Sequence, residues 1–352
     1  MIKKIIKITA LITLISTSPN LAKAKENIVI LATGGTIAGT ASKASDASYS
    51  PSKVMVNDII ASVPDLANVA NITGEQFSQI ASQNMNSEFW LKLSKRVSEL
   101  ASKSSVDGIV ITHGTDTMEE TAYFLNLTVH TKKPIILVGS MRPSTSLSAD
   151  GPLNLFNAVS VAASKSAREK GVLLVLNDNI YAARDVTKFN TTNTIAFESP
   201  NFGPIGHVIY GKPQFYYSST RLHTYKSIFD VSELKSLPEV EIIYSYTDQD
   251  ASFMDELVKA NTAGIVGAGV GDGNFYKDTL SELVKASKGG VRVVRSSRIG
   301  AGFVVPNSEI NDDEYQFITA DNLNPQKARI LLMLALTKTD DYKKIREYFS
   351  QY

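Results

Sequence analysis

The chain has 352 residues, no cysteine, and 36 basic against 35 acidic side chains, for a net charge of +1. The missing cysteines exclude disulfides, a cysteine nucleophile, a thiolate metal site and lipid attachment through sulfur. The near-neutral balance gives no electrostatic pull toward nucleic acid or an anionic membrane surface.

The first 24 residues read as a secretory signal peptide: Lys3, Lys4 and Lys7 open it, an apolar stretch covers 8–16, and Ala22-Lys23-Ala24 fits a small-x-small cleavage site. That apolar stretch is well short of the ~20 residues a spanning helix needs, so no membrane segment is expected after cleavage. Loss of residues 1–24 removes four lysines and no acid, which leaves 32 basic against 35 acidic groups and a net charge of −3. The remainder is long enough for two domains at about 150 residues each.

Apolar runs at 28–32, 109–112, 135–138 and 172–176 read as buried parallel strands. Helix-period segments separate them. Trp90, Leu93, Val97 and Leu100 share one face, as do Met118, Ala122, Leu125 and Val129, with Thr117-x-x-Glu120 as a capping box. This alternation predicts a parallel sheet covered by helices on both faces. Between 201 and 237 the periodicity fades, and residues 213–237 read as a linker. A second α/β set follows, with strands at 241–246, 264–267 and 291–296 and helices near 254–261 and 279–287. Helices across 325–337 and 341–349 end the chain. The expected class is α/β: a larger N-terminal parallel-sheet, flavodoxin-like domain over 25–212 and a smaller C-terminal α/β domain over 238–352.

Two threonines stand at strand ends beside glycine, where open α/β sheets bind ligands. Thr36 closes Thr33-Gly34-Gly35-Thr36, and Thr115 lies in His113-Gly114-Thr115-Asp116-Thr117. A dinucleotide fingerprint fails, because the second glycine it needs is Thr36 when counted from Gly34. A tight turn explains the first motif and helix capping the second; the chemical alternative makes Thr115 a proton-exchanging hydroxyl and Asp116 the partner of a substrate ammonium. A hydroxyl is a poor nucleophile until a neighbour activates it. Lys188, beyond the strand that ends near Asn177-Asp178, is a candidate, since a partly desolvated lysine can act as a base. Tyr49 adds a phenol within the small, polar loop 39–53, which is expected to be mobile. The histidines at 113, 130, 207 and 223 lack His-Glu-x-x-His spacing, so neither zinc nor any other cofactor is expected.

Taken together, these motifs closely resemble those of the bacterial type II L-asparaginases, exported members of the asparaginase/glutaminase amidohydrolase family. The resemblance covers essentially the whole chain after residue 24. It runs through Ala32-Thr33-Gly34-Gly35-Thr36-Ile37-Ala38, Ser82-Gln83-x-Met85-Asn86 and His113-Gly114-Thr115-Asp116-Thr117-Met118-Glu119-Glu120. It continues through Met141-Arg142-Pro143-Ser144-Thr145, Ser148-Ala149-Asp150-Gly151-Pro152 and Arg184-Asp185-Val186-Thr187-Lys188. Arg295-Ser296-Ser297-Arg298 and Asn324-Pro325-Gln326-Lys327-Ala328-Arg329 complete it.

The resemblance implies hydrolysis of L-asparagine to L-aspartate and ammonia, with L-glutamine as a second substrate. Thr36 matches the family's nucleophile, which forms an acyl-enzyme, and Tyr49 the loop residue that assists it. Thr115, Lys188 and Asp116 match the set that activates a hydroxyl or water; the residues alone leave open which threonine attacks first. Ser82 and Gln83 would hold the α-carboxylate and Asp116 the α-ammonium, with Gly35 beside them and backbone N–H groups near both threonines facing the oxyanion. Glu309 matches a glutamate that reaches the substrate amine from a neighbouring subunit, which implies a homotetramer; the implied location is the periplasm. Asp272 departs from the asparagine common at its position. It is either a harmless change in a turn or a second carboxylate near the amine that alters pH dependence or selectivity.

Two competing readings remain. An exported amino-acid-binding protein could use the same crevice without turnover, although paired threonines and a lysine exceed what binding needs. A related amidotransferase subunit acting on misacylated tRNA should carry a basic extension, which the signal peptide and the net charge of −3 oppose.

Overall fold

The computed structural model describes residues 24–43, 49–259 and 262–352. The expected signal peptide lies, apart from Ala24, outside the described residues. Among those described, no helix is long and apolar enough to cross a membrane.

The four apolar runs form strands Asn27–Gly34, Gly108–Thr112, Ile135–Val138 and Val172–Leu176, buried nearly throughout. Uniformly apolar strands bury both faces, and helices supply the cover. Ser87–Ser102 and Met118–Thr128 pack on one side of the sheet, and Gly151–Ala162 on the other. The four residues read onto each helix face are all buried.

Among the described residues this sheet has eight strands. Asn71–Ile80 forms one edge, followed in space by Asn27–Gly34, Gly108–Thr112, Ile135–Val138 and Val172–Leu176, all parallel. Asn179–Ala182, Gly206–Ile209 and Lys212–Phe215 extend it antiparallel at the other end. The expected parallel sheet is thus the dominant part of a mixed one, which these three strands complete. Lys212–Phe215, where the linker was expected to begin, pairs with Gly206–Ile209.

Chain order fixes where a ligand can enter. From Asn27–Gly34 the chain moves to the edge strand on one side, then crosses to Gly108–Thr112 on the other. The carboxyl ends of these two neighbours border the crevice that such a reversal opens. Register sets Ala32 opposite Thr112, so the two threonine-bearing turns leave the sheet side by side.

The second unit is a four-stranded parallel sheet ordered Val240–Tyr244, Gly264–Gly269, Arg292–Ser297 and Ile318–Thr319. Helix Pro325–Leu336 lies between this sheet and Met118–Thr128, with Ile330, Leu331, Leu332 and Leu334 fully buried. Each such side chain contributes about 1.5–3 kcal/mol of transfer energy, so one apolar core runs through both units.

Arg295 and Asp312, both fully buried, form a two-pronged ion pair at 2.6 and 2.8 Å. Arg295 also donates to the carbonyls of Asp272, Gly273 and Val305. The pair therefore fixes the turn carrying Asp272, and removing one partner costs about 3–5 kcal/mol because the other charge is left unpaired.

Candidate active site

Glycine is required where the two turns touch. Gly35 has φ +84°, and a Cβ there would lie 2.3 Å from the Gly114 nitrogen. A Cβ on Gly114 would in turn come 2.5 Å from Ser82 Oγ. Three loops thus meet without side chains between them, and Thr36, Thr115 and Ser82 are all buried at the junction.

Hydrogen bonds hold the junction. Thr33 Oγ1 donates to the Thr112 carbonyl at 2.8 Å, and Ser82 Oγ accepts the Asp116 N–H at 3.2 Å. Thr117 Oγ1 donates to the Ser82 carbonyl at 2.8 Å. This last contact corrects the expected capping box: Thr117 begins the helix but gives its side chain to the neighbouring loop, with no cap bond.

Lys188 comes from the short strand Thr187–Lys188, which pairs with Phe197–Glu198. Its Nζ lies 3.0 Å from Thr115 Oγ1 and 2.6 Å from Asp116 Oδ1. The ion pair aims the amine at the hydroxyl. Asp116 keeps a side chain 57% exposed, so its carboxylate still faces solvent.

The loop after Thr36 is pinned at both ends. Thr40–Ala41 pairs with Tyr49–Ser50, and Ser52 returns to Gly35, taking its N–H on Oγ at 2.8 Å and giving an N–H to its carbonyl at 3.1 Å. Residues 44–48 of this loop, 39–53, lie outside those described. Ser52 went unread in the sequence, where it looks like any serine in a Ser/Pro turn. It also consumes the Gly35 amide, so any oxyanion donors must come from other N–H groups of the two turns.

His113 is fully buried beside Thr115. Burial holds its pKa down at about 4, outweighing the contact of Nδ1 with the Gly114 carbonyl at 2.7 Å. The imidazole is therefore neutral near pH 7 and adds no charge to the site.

The remaining site candidates are spread more widely. Gln83 follows Ser82 in the turn Ser82–Asn84 and is exposed. Asp272 and Glu309 sit on the second unit, and none of the contacts joining the two threonine turns includes them. Asp272 Oδ1 accepts the Val305 N–H at 2.8 Å, which makes it a member of its own turn. Two residues on, Asn274 Oδ1 is buried without a partner among the described residues, a feature that sequence pattern does not reveal. Among the described residues, no cluster of three or more His, Asp or Glu has metal-holding geometry.

Two buried threonines, a lysine on one of them and an exposed carboxylate alongside make a candidate site whose groups suit acyl transfer on a small substrate bearing an ammonium. Residues 27–221 match the family description "Asparaginase, N-terminal", and residues 239–349 match "Glutaminase/Asparaginase C-terminal domain". The chain belongs to the asparaginase family. It is 51% identical to a glutaminase-asparaginase of Pseudomonas fluorescens biotype A, over 95% of each chain. It is 48% identical to a protein of Haemophilus influenzae named "Probable L-asparaginase periplasmic", over 97% of this chain and 98% of that one. A crystal structure of a "Probable Cytoplasmic L-asparaginase" from Campylobacter jejuni superposes with a TM-score of 0.90 at 48% identity, over 93% of this chain and all of that one. The α/β class and the asparaginase resemblance read from the sequence both hold, and nothing in these relatives supports a binding protein without turnover.

Proposed function

We propose that the chain hydrolyses the side-chain amide of L-asparagine to L-aspartate and ammonia, and L-glutamine as a second substrate. Thr36 Oγ attacks the amide carbon, the C–N bond breaks, and the nitrogen leaves as ammonia with the proton taken from the hydroxyl. Water then attacks the resulting ester carbonyl and frees Thr36. Thr115 and Lys188 relay the proton in both steps. Ser82 and Gln83 hold the α-carboxylate, and Asp116 the α-ammonium. The observation that carries this reading is the contact of Lys188 Nζ with Thr115 Oγ1 at 3.0 Å, inside a junction where Gly35 and Gly114 bring both threonine turns together. Holding reacting groups in place is a large share of such catalysis.

The same reading makes the protein a homotetramer exported to the periplasm. Exposed Ile299, Phe303 and Val305 near Asp272, and Glu309 displayed on the same unit, suit a surface that completes a neighbouring subunit's site. The charged and apolar segments of residues 1–24 support export, and so does the name of the Haemophilus relative; the name of the Campylobacter structure points to the cytoplasm.

Ammonia release from asparagine and glutamine tests the function, with Asp272→Asn assayed alongside. Asparagine keeps an acceptor for the Val305 N–H, so the ratio of the two kcat/KM values is expected to change less than about threefold, under ~1 kcal/mol. A change beyond about tenfold would place the Asp272 charge at the substrate. Absence of ammonia with either amide would sink the functional reading.

A further inference from the structure

The segment carrying Lys188 is held by the second unit. Arg184, buried, donates to Asn322 Oδ1 at 2.5 Å, Asp321 Oδ2 at 3.3 Å and the Tyr352 carbonyl at 2.9 Å. Lys327 of helix Pro325–Leu336 gives its Nζ to the carbonyls of Arg184 and Val186. The next two residues of the segment, Thr187 and Lys188, turn to Glu119.

Glu119 is buried at the start of Met118–Thr128 and is surrounded by donors. Its Oε1 accepts from Thr187 Oγ1 at 3.2 Å, the Lys188 N–H at 3.4 Å and Gln326 Nε2 at 3.2 Å. Oε2 accepts from Asn324 Nδ2 at 2.9 Å and faces Lys327 Nζ at 3.8 Å. Such a carboxylate is stable only with its partners in place, since burying an unpaired charge is costly. Burial keeps the Lys327 pKa down at about 8, against the pull of Glu119. Next to it, burial first and the Glu119 charge second push Glu120 up to about 7.

We propose that Glu119 is a positioning residue for Lys188, and that Asn324, Gln326 and Lys327 of the second unit lock it in place. The inference rests on the catalytic role given to Lys188 above. Glu119 sits three residues after Asp116 and contacts the backbone N–H of Lys188, so one carboxylate links both ends of the Thr115–Lys188–Asp116 contact set. The second unit thereby acts on the threonine site of its own chain. Five donors converge on Glu119, and an amide in its place would point an N–H at one of them. Lys188 would shift while the loop bearing Ser82 and Gln83 stays put.

The test compares Glu119→Gln, Gln326→Met and Lys188→Met in the full-length protein, with folding checked by circular dichroism. A misplacement near 1 Å can cost up to about 100-fold, so Glu119→Gln is expected to lower kcat by about 10–100-fold with KM changed less than about fivefold. Gln326→Met, which removes one donor from the half-buried edge of the network, is expected to lower kcat by about two- to fivefold. It decides the matter if Glu119→Gln fails to fold. Loss of turnover in Lys188→Met beside unchanged kcat in the folded Glu119→Gln and Gln326→Met variants would overturn the positioning role alone. Full turnover in Lys188→Met would overturn the catalytic reading beneath it.

Discussion

Thr36→Ala is expected to lower ammonia release from asparagine by about 10³-fold or more, a loss of at least ~4 kcal/mol of transition-state stabilisation. In the proposed mechanism this residue supplies the atom that bonds to carbon. Ser52, whose hydroxyl returns to the Gly35 turn, already donates to the Ile80 carbonyl and accepts the Gly35 N–H. Folding should survive. Thr36 is buried at the head of the turn Thr36–Ala38, and the backbone bond from Gly39 N–H to its carbonyl at 2.8 Å does not need the side chain. Loss of the hydroxyl and methyl costs about 1–2 kcal/mol of stability, which a core continuous across both units tolerates. A folded Thr36→Ala protein with a rate within tenfold of the parent would move the nucleophile elsewhere.

Lys188→Met should lower kcat by about 10²–10⁴-fold, the range over which a positioned proton-transfer group contributes. Methionine fills a similar volume, so the strand Thr187–Lys188 keeps its pairing with Phe197–Glu198. What disappears is the amine between Thr115 Oγ1 and Asp116 Oδ1. Asp116 is freed from its ion pair and remains able to meet the substrate ammonium, so KM should rise far less than kcat falls. Rapid-mixing assays that separate the two parameters check this. A loss confined to KM would make Lys188 a binding residue.

Where burial imposes one composition on both faces, the sequence was legible. Asn27–Gly34 and Gly108–Thr112 are apolar because sheet neighbours and helices enclose them. The edge strand Asn71–Ile80 escaped detection because it is half-buried and rich in Asn, Thr, Glu, Gln and Ser. The antiparallel strands after 178 were hidden by their length of four residues and by an edge position for Lys212–Phe215. Thr36, Thr115, Asp116 and Lys188 stood out as chemical types at strand ends, and the structure brings Thr115, Asp116 and Lys188 into direct contact. The support around them was not legible. Glu119 meets Gln326 across 207 positions, and only folding makes those residues neighbours. Thr117 shows the reverse error: local spacing suggested a cap, and a distant carbonyl at Ser82 took the hydroxyl instead.

The central claim is that Thr36 and the Thr115–Lys188 pair act together on one substrate. Ammonia release measured for Thr36→Ala, Lys188→Met and the double variant tests it directly. Groups that act as a unit are strongly non-additive, so the double variant should be no more than about tenfold slower than the slower single variant. Losses that multiply in full would contradict the account, since two independent contributions would then stand where one joint step is claimed.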